Sequence, residues 1–458
     1  MAGIGIRLHR LVADGSYAQA ATAYLSSAII VAGPWLSSVF WLGLLGSATV
    51  TFLNPAERAL VLTTITYAFC ASLLATGGLQ MVVTRYLSDR LYLEDETALG
   101  PACTGVMLAV IPLLALAMPF LLLAPFGLSY RLVAASLFVA VSLIWLIVVF
   151  LSATRDYVRL VLVFVAAYGF SVIAAFGLGR SFGMLGTLYG FTLGQVMCLC
   201  LLVAHVYVEF SPGTGLSLDF LAYLRRYWDL LLLGLGMAAG LWIDNVLFWF
   251  SGGALVVAHF YHTYPAYDVA KLVALLSTIP AATVFLVQLE TTFDLHCRKF
   301  YQLVVSKGVL ADIVLARKAM QRAARSTVVT ILKVQLLVDL FMLLFAPDLV
   351  RILGMPTGHT ALLRFLVLGA SCQSLLMVGV LLLLYLDARR SALAVALLFA
   401  GSSADLTLLT LRLGAPCYGC GYLAAAALSA LVVLLRLRSC LARLEYLTFM
   451  LQPLDPRQ

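Results

Sequence analysis

The chain has 458 residues, of which 63% are apolar and only 11% charged, and it carries a net charge of +8. That balance excludes a large water-soluble enzyme, which would bury long apolar runs one or two at a time. It also excludes a nucleic-acid-binding module, which needs a continuous basic face on a soluble domain.

Twelve apolar blocks follow one another, at about 20–48, 58–84, 103–124, 132–152, 160–179, 183–208, 230–252, 270–289, 327–346, 361–386, 391–411 and 418–437. Roughly 20 apolar residues suffice to carry a helix across ~30 Å of hydrocarbon, so the expected fold is an all-α polytopic membrane protein with about 12 transmembrane helices. The first block follows Arg7 and Arg10 and is longer than a signal-peptide core, with no convincing small-x-small cleavage site. It contains Gly33-Pro34-Trp35. Proline removes one backbone hydrogen bond and crowds the preceding turn, so Gly33 and Pro34 mark either a fixed kink or a bending point. Ile279-Pro280 in the eighth block carries the same two readings.

The cations set the orientation. Cytoplasmic loops collect Lys and Arg. The N-terminal tail, the even-numbered gaps and the C-terminal tail hold 21 of the 29 Lys and Arg residues, against 7 in the odd-numbered gaps, with Lys333 inside the ninth block. This places both termini in the cytoplasm and accounts for the net positive charge, together with contact with anionic lipid. The expected organisation is an N-terminal six-helix lobe over 1–209, a cytoplasmic linker over 210–229 with Pro212, Gly213 and Gly215, and a C-terminal six-helix lobe over 230–458. Six spans per lobe return the chain to the same side, as parallel repeats require.

The stretch 294–326 is expected to form a cytoplasmic amphipathic helix, with Leu303, Leu310, Ile313, Val314 and Met320 at helical spacing. Its basic residues Arg317, Lys318, Arg322 and Arg325 suit either the headgroup layer of the bilayer or a docking surface for a cytosolic partner.

An ionisable group deep in a span is a functional hypothesis by default. The first six blocks have no carboxylate at mid-depth; the second six contain Asp244, Lys333, Asp339 and Asp405. At ~1.5 Å rise per residue, the three aspartates lie roughly 18–22 Å from the cytoplasmic ends of their helices. A shared polar cavity in the C-terminal half would follow, with interhelical glue as the other reading. Lys333 is shallower and can snorkel or neutralise a neighbour. Trp242, Asn245 and Trp249 recur at i, i+3 and i+7, a spacing that could stack indoles on sugar rings or simply anchor a helix. Gln80, Gln195, Gln288, Gln335 and Gln373 add uncharged polarity, which suits a hydroxyl-rich substrate as well as helix packing.

No phosphate-binding loop, nucleophile–base pair or clustered metal-ligand set stands out, so neither an enzyme nor a cofactor or metal is expected. Cys417-x-x-Cys420 in the last outer loop suits a local disulfide or two free thiols.

Several short motifs keep a shared order: Met1-Ala2-Gly3-Ile4-Gly5, Arg7-Leu8, Arg10-Leu11, Ala23-Tyr24, Gly33-Pro34-Trp35, Gly77-Gly78, Thr84-Arg85-Tyr86, Asp89-Arg90, Tyr267-Asp268, Thr278-Ile279-Pro280, Glu290-Thr291 with Phe293, and Phe300-Tyr301. In order and spacing they resemble the Pel exopolysaccharide transporter family (PelG), up to the ninth span. The resemblance implies a fold like that of the multidrug/oligosaccharidyl-lipid/polysaccharide exporter superfamily, with two lobes around a central cavity. It further implies that the chain carries a nascent amino-sugar exopolysaccharide across the bacterial inner membrane, for a biofilm matrix. The implied partners are a cytosolic glycosyltransferase (the Pel synthase) and membrane companions, one of them sensing cyclic-di-GMP. A lipid-linked oligosaccharide flippase, a proton-coupled drug exporter and an inert membrane scaffold are the competing readings. A flippase would need converging cations for a diphosphate, and Lys333 alone lies within a span by this reading.

Overall fold

A computed structural model describes residues 17–122, 126–154, 157–210, 215–306 and 308–450. Arg7 and Arg10, Arg155, Pro212 and Gly213, Lys307 and Arg457 lie outside the described residues, as do the first motifs of the N-terminus. Among the described residues the chain folds as α-helices with one short hairpin, and it divides into two compact units, Ala32–Tyr264 and Pro265–Gln458 with the chain before Ala32. Among the described residues, nine helices are long and apolar enough to cross a membrane.

The first unit begins within α1 (Tyr17–Ala48), a helix that runs through Pro34. Next comes α2 (Pro55–Tyr92), opened by a capping box. Asn54 Oδ1 accepts from the Glu57 amide at 2.8 Å and Glu57 Oε2 accepts from the Asn54 amide at 3.2 Å, with Pro55 at the first helical position. The following helices are α3 (Leu99–Leu122), α4 (Leu128–Thr154) and α5 (Tyr157–Glu209). α5 is two helical arms joined at Gly183, where φ is +61° and ψ −140°; a side chain there would be strained. The arms pack closely because Gly186, Gly190 and Gly194, spaced by four, lie against Leu178, Ala174 and Ser171.

The expected 210–229 linker is not a free connector. It contains α6 (Phe220–Arg226), whose Phe220 is buried. Arg90 at the end of α2 pairs with Asp95 at 3.0 Å and with Asp219 at 3.3 Å. Then α7 (Trp228–Trp249) lies along α2, with Gly78 facing the Leu231 carbonyl and Gly234 facing that of Gly77. Small residues let the two backbones approach this closely. The division into units therefore falls at Tyr264/Pro265 rather than within 210–229, and α7 packs with the helices that precede it. β1 (Leu255–Ala258) and β2 (Tyr261–Thr263) form an antiparallel hairpin that closes this unit.

The second unit opens with a broken span: α8 (Pro265–Leu276), α9 (Ile279–Gln288), a π-helical turn over Leu289–Phe293 and α10 (Asp294–Val305). Pro280 therefore begins a helix rather than bending one. Ser277 Oγ donates to Ala274 O and Thr278 Oγ1 to Leu275 O, both at 2.7 Å, so hydroxyls take up carbonyls at the break.

The amphipathic helix expected over 294–326 is two helices. Val309 is extended, and α11 (Leu310–Leu344) then runs as one 35-residue helix into the ninth apolar block. Lys and Arg are good helix formers, so the basic cluster does not interrupt it. One buried stripe runs its length, from Ile313 and Met320 through Thr327 and Ile331 to Gln335 and Asp339. After α12 (Ala346–Ile352) come α13 (Thr360–Tyr385), α14 (Arg389–Leu413), α15 (Cys420–Ala442) and α16 (Leu444–Met450). Gly369 of α13 faces the Tyr422 ring of α15, and Gly379 faces Val433.

Candidate functional site

Each unit holds its own buried polar groups, and they are described separately. In the unit Pro265–Gln458, Asp339 is almost fully buried. Ser371 Oγ donates to its Oδ1 at 2.7 Å and Gln335 Nε2 to the same oxygen at 2.9 Å, while Gln335 Nε2 also reaches Ser371 Oγ at 3.0 Å. This triangle bridges α11 and α13. Removing a carboxylate from water is tolerated only where donors replace the lost hydration; here two neutral donors converge on one oxygen.

The sequence does not announce a second cluster in the same unit. Lys271 falls at the very edge of the eighth apolar block, about 270–289, and is counted there with the outer-loop cations. Helix α8 starts earlier, at Pro265, and Lys271 lies inside it with 3% exposure. Its Nζ sits 4.7 Å from the centroid of the Tyr422 ring. The Tyr422 hydroxyl in turn donates to Gln373 Oε1. Gly369 makes this possible: a Cβ there would stand 2.5 Å from the ring. Lys271, Tyr422 and Gln373 thus join α8, α15 and α13 through one aromatic side chain. The cation–π pairing is worth up to about 2 kcal/mol where water is excluded. Lys333 is therefore not the only cation within a span.

Lys333 and Asp405 both lie on exposed faces of their helices, while Asp339 is buried. Asp244 and Asn245 belong to the other unit, on α7, where both are buried. The three aspartates are thus divided between the two units, and only Asp339 is held in a described polar network of the second.

In the unit Ala32–Tyr264, Trp249 is buried and stacks on Tyr67, with ring centroids 4.6 Å apart and planes 17° from parallel. Tyr261 meets Tyr67 edge-on at 5.1 Å. The Tyr67 hydroxyl donates to the His262 carbonyl at 3.0 Å, and the His262 amide lies 3.2 Å from the same oxygen. Tyr67 thus occupies a face of Trp249 and ties the hairpin to α2. Trp242 is half-buried, 6.1 Å from Trp249, and its indole N–H has no hydrogen-bond partner among the described residues. Of the two indoles offered for sugar stacking, Trp242 retains the more open ring. A Cβ on Gly33 would meet Val161 at 2.7 Å, so the glycine beside Pro34 seats α1 against α5.

The glutamines are mostly taken up by helix partners. Gln80 donates to Thr76 Oγ1 at 3.0 Å and Gln195 to Ser171 Oγ at 3.2 Å. Trp145 Nε1 donates to Ser72 Oγ at 3.1 Å.

Of the four basic docking candidates, Arg317 is committed elsewhere. Its Nε pairs with Glu445 at 3.0 Å and its Nη1 donates to the Ala442 carbonyl at 2.6 Å. Lys318, Arg322 and Arg325 are exposed. Cys417 and Cys420 are free, partly exposed thiols.

Solved structures resemble this fold over nearly its whole length. An outward-facing multidrug-resistance MATE transporter of the MOP superfamily matches with a TM-score of 0.65 at 15% identity, covering 92% of this chain and 96% of its own. A point mutant of a MATE transporter matches at 0.66 and 15%, covering 96% and 99%. A MOP-superfamily transporter from Pyrococcus furiosus, described as having a binding pocket of reverse polarity, matches at 0.63 and 15%, covering 92% and 96%. At this identity the likeness shows a shared fold. Among curated proteins, none matches the chain. The family model PelG, described as "Putative exopolysaccharide Exporter (EPS-E)", matches residues 1–449.

Proposed function

Because the chain belongs to the PelG exopolysaccharide exporter family, a group of membrane transporters, we propose that it moves a nascent amino-sugar exopolysaccharide across the bacterial inner membrane as a cytosolic glycosyltransferase extends it. The match over residues 1–449 carries this reading. Elongation of the polymer supplies the push.

Twelve crossings fit the fold. The nine candidate spans are joined by Tyr17–Ala48 and Leu99–Leu122, and Val158–Glu209 counts twice because it turns at Gly183. Both termini are then cytoplasmic, as the arginine distribution requires.

The test is secretion. Cells with an intact synthase and no copy of this chain should release no amino-sugar polymer, and the wild-type gene should restore release. Normal synthesis and release without this chain would end the proposal. A proton-coupled exporter of the same fold is the second reading, and the buried Asp339 with its two donors is the observation that favours it. Export that collapses in Asp339→Asn, and collapses equally in wild type when the proton gradient is dissipated, would establish it.

A further inference from the structure

The helices α11 and α15 enclose a groove. They are clamped at one end. Gln321 Nε2 donates to the Leu441 carbonyl at 2.8 Å, and Arg317 holds the Ala442 carbonyl and Glu445. These bonds satisfy carbonyls in the last turn of α15, which lack partners within their own helix. Beyond the clamp the helices part around a cavity of about 640 Å³, floored by Ala324, Val328, Leu434 and Leu437 and rimmed by Arg325 and Arg438. A second hollow of about 370 Å³ shares Arg325 and adds Lys318 and Arg322.

We propose that this groove binds one anionic phospholipid, its phosphate among Lys318, Arg322, Arg325 and Arg438 and one acyl chain along Val328, Leu434 and Leu437. Three observations carry the assignment. First, the charge is of one sign: no acidic residue lines either hollow, and among the described residues none of the four cations lies within salt-bridge distance of a carboxylate. Only Arg317, at the clamp, is neutralised, by Glu445. Second, the groove changes character along its length. From Gln321 to Val328, about 10 Å at ~1.5 Å per residue, the floor passes from amide and guanidinium to hydrocarbon. A polar polymer or peptide would leave its own hydrogen-bonding groups unpaired there, whereas an acyl chain has none to satisfy. Third, both walls belong to candidate spans, and Val329 and Leu435 beside the groove are exposed, at 39% and 55%. A lipid can enter sideways from the bilayer. Basic pockets between spans are suited to anionic headgroups. The inference rests on the chain spanning a membrane, not on what it exports.

The full chain in phosphatidylcholine nanodiscs, titrated with phosphatidylglycerol and followed by native mass spectrometry, tests it. Wild type should retain one phosphatidylglycerol and show a raised unfolding temperature when it is added. Arg325→Gln with Arg438→Gln should weaken retention about tenfold or more, since each basic residue near a headgroup adds a comparable increment. Val329→Trp, which blocks the groove and leaves every charge in place, should abolish retention. Leu434→Trp serves as the second blocking variant should the first fail to elute as a single species. Equal retention of phosphatidylcholine would overturn the proposal. So would unchanged retention in the blocked variants, because the lipid would then be held by surface charge alone. A thermal shift reproduced by pyrophosphate without added lipid would assign the cations to a water-soluble anion instead. Capture of a cytosolic protein that both blocked variants retain would assign them to a docking surface.

Discussion

Asp339 shows how one carboxyl can live inside a span: both donors on its Oδ1 come from neutral side chains, on α11 and α13. Replacement by Leu removes the oxygen on which both donors converge and leaves Ser371 Oγ only the Val367 carbonyl at 3.0 Å and Gln335 Nε2 only Ser371 Oγ, and loss of a buried hydrogen bond costs about 1–3 kcal/mol where a group is left unpaired. Asp339→Leu should therefore lower the unfolding temperature in detergent clearly more than Asp339→Asn, which keeps a carbonyl oxygen at the same place. Equal losses from the two would show that the network carries little stability. Tyr422 is the corresponding pivot of the other cluster, and Gly369→Ala is the sharper probe of it. An added methyl 2.5 Å from the ring forces Tyr422 away from Gln373 and Lys271, and overpacking of this kind costs about 1–3 kcal/mol. Tyr422→Phe, which loses only the hydroxyl, should cost less; a larger loss from Tyr422→Phe would place the stability in the hydrogen bond to Gln373. Asp339 is legible in the sequence because an acid in an apolar block is conspicuous. Lys271 is not: it stands at the edge of the eighth apolar block and reads as an outer-loop cation, whereas α8 begins at Pro265 and carries it, buried, within the helix.

At the scale of elements, the crossing of α2 and α7 depends on residues that have no side chain to offer. A Cβ on Gly234 would collide with backbone at Gly77, and backbone cannot swing aside as a side-chain tip can. Gly234→Val should therefore reduce folded yield and cost more than about 3 kcal/mol of stability, at the upper end of single substitutions. Gly43→Ala in α1, with open space around it, should leave both unchanged. The hairpin gives a local test. Tyr67→Phe removes the hydroxyl that bridges to His262, so amide exchange over 255–263 should accelerate while global unfolding stays put, because local opening draws on few contacts. The sequence shows the Gly77-Gly78 pair and the Gly186, Gly190, Gly194 series plainly. Which helix each meets is a long-range fact that no local pattern encodes. The same holds for Trp249, whose helical spacing with Trp242 is visible and whose face is taken by Tyr67, 182 positions earlier in the chain.

For the molecule as a whole, composition fixes far more than site chemistry does. Each of the nine candidate spans among the described residues coincides with one or two of the apolar blocks, since hydrocarbon thickness sets a length that short-range sequence must meet. The differences follow from helix continuity: α11 carries straight through the basic cluster of Arg317, Lys318, Arg322 and Arg325, merging what composition separates into a surface helix and a span. The compact division at Tyr264/Pro265 goes with the close packing of α7 on α2 through their glycines. Reporter fusions at both ends should read cytoplasmic; opposite readings would require an odd number of crossings and would remove one span from the proposed twelve.

The turn at Gly183 has a practical corollary. Two arms of α5 meet through a single glycine at positive φ and lie flush from Gly186 to Ser171, so no loop exists there to receive an epitope, a protease site or a fluorophore. Maps of which side of the bilayer faces outward will have to place their labels at the β1–β2 tip instead, and failed insertions near Gly183 should be read as broken hairpins, not as evidence about sidedness.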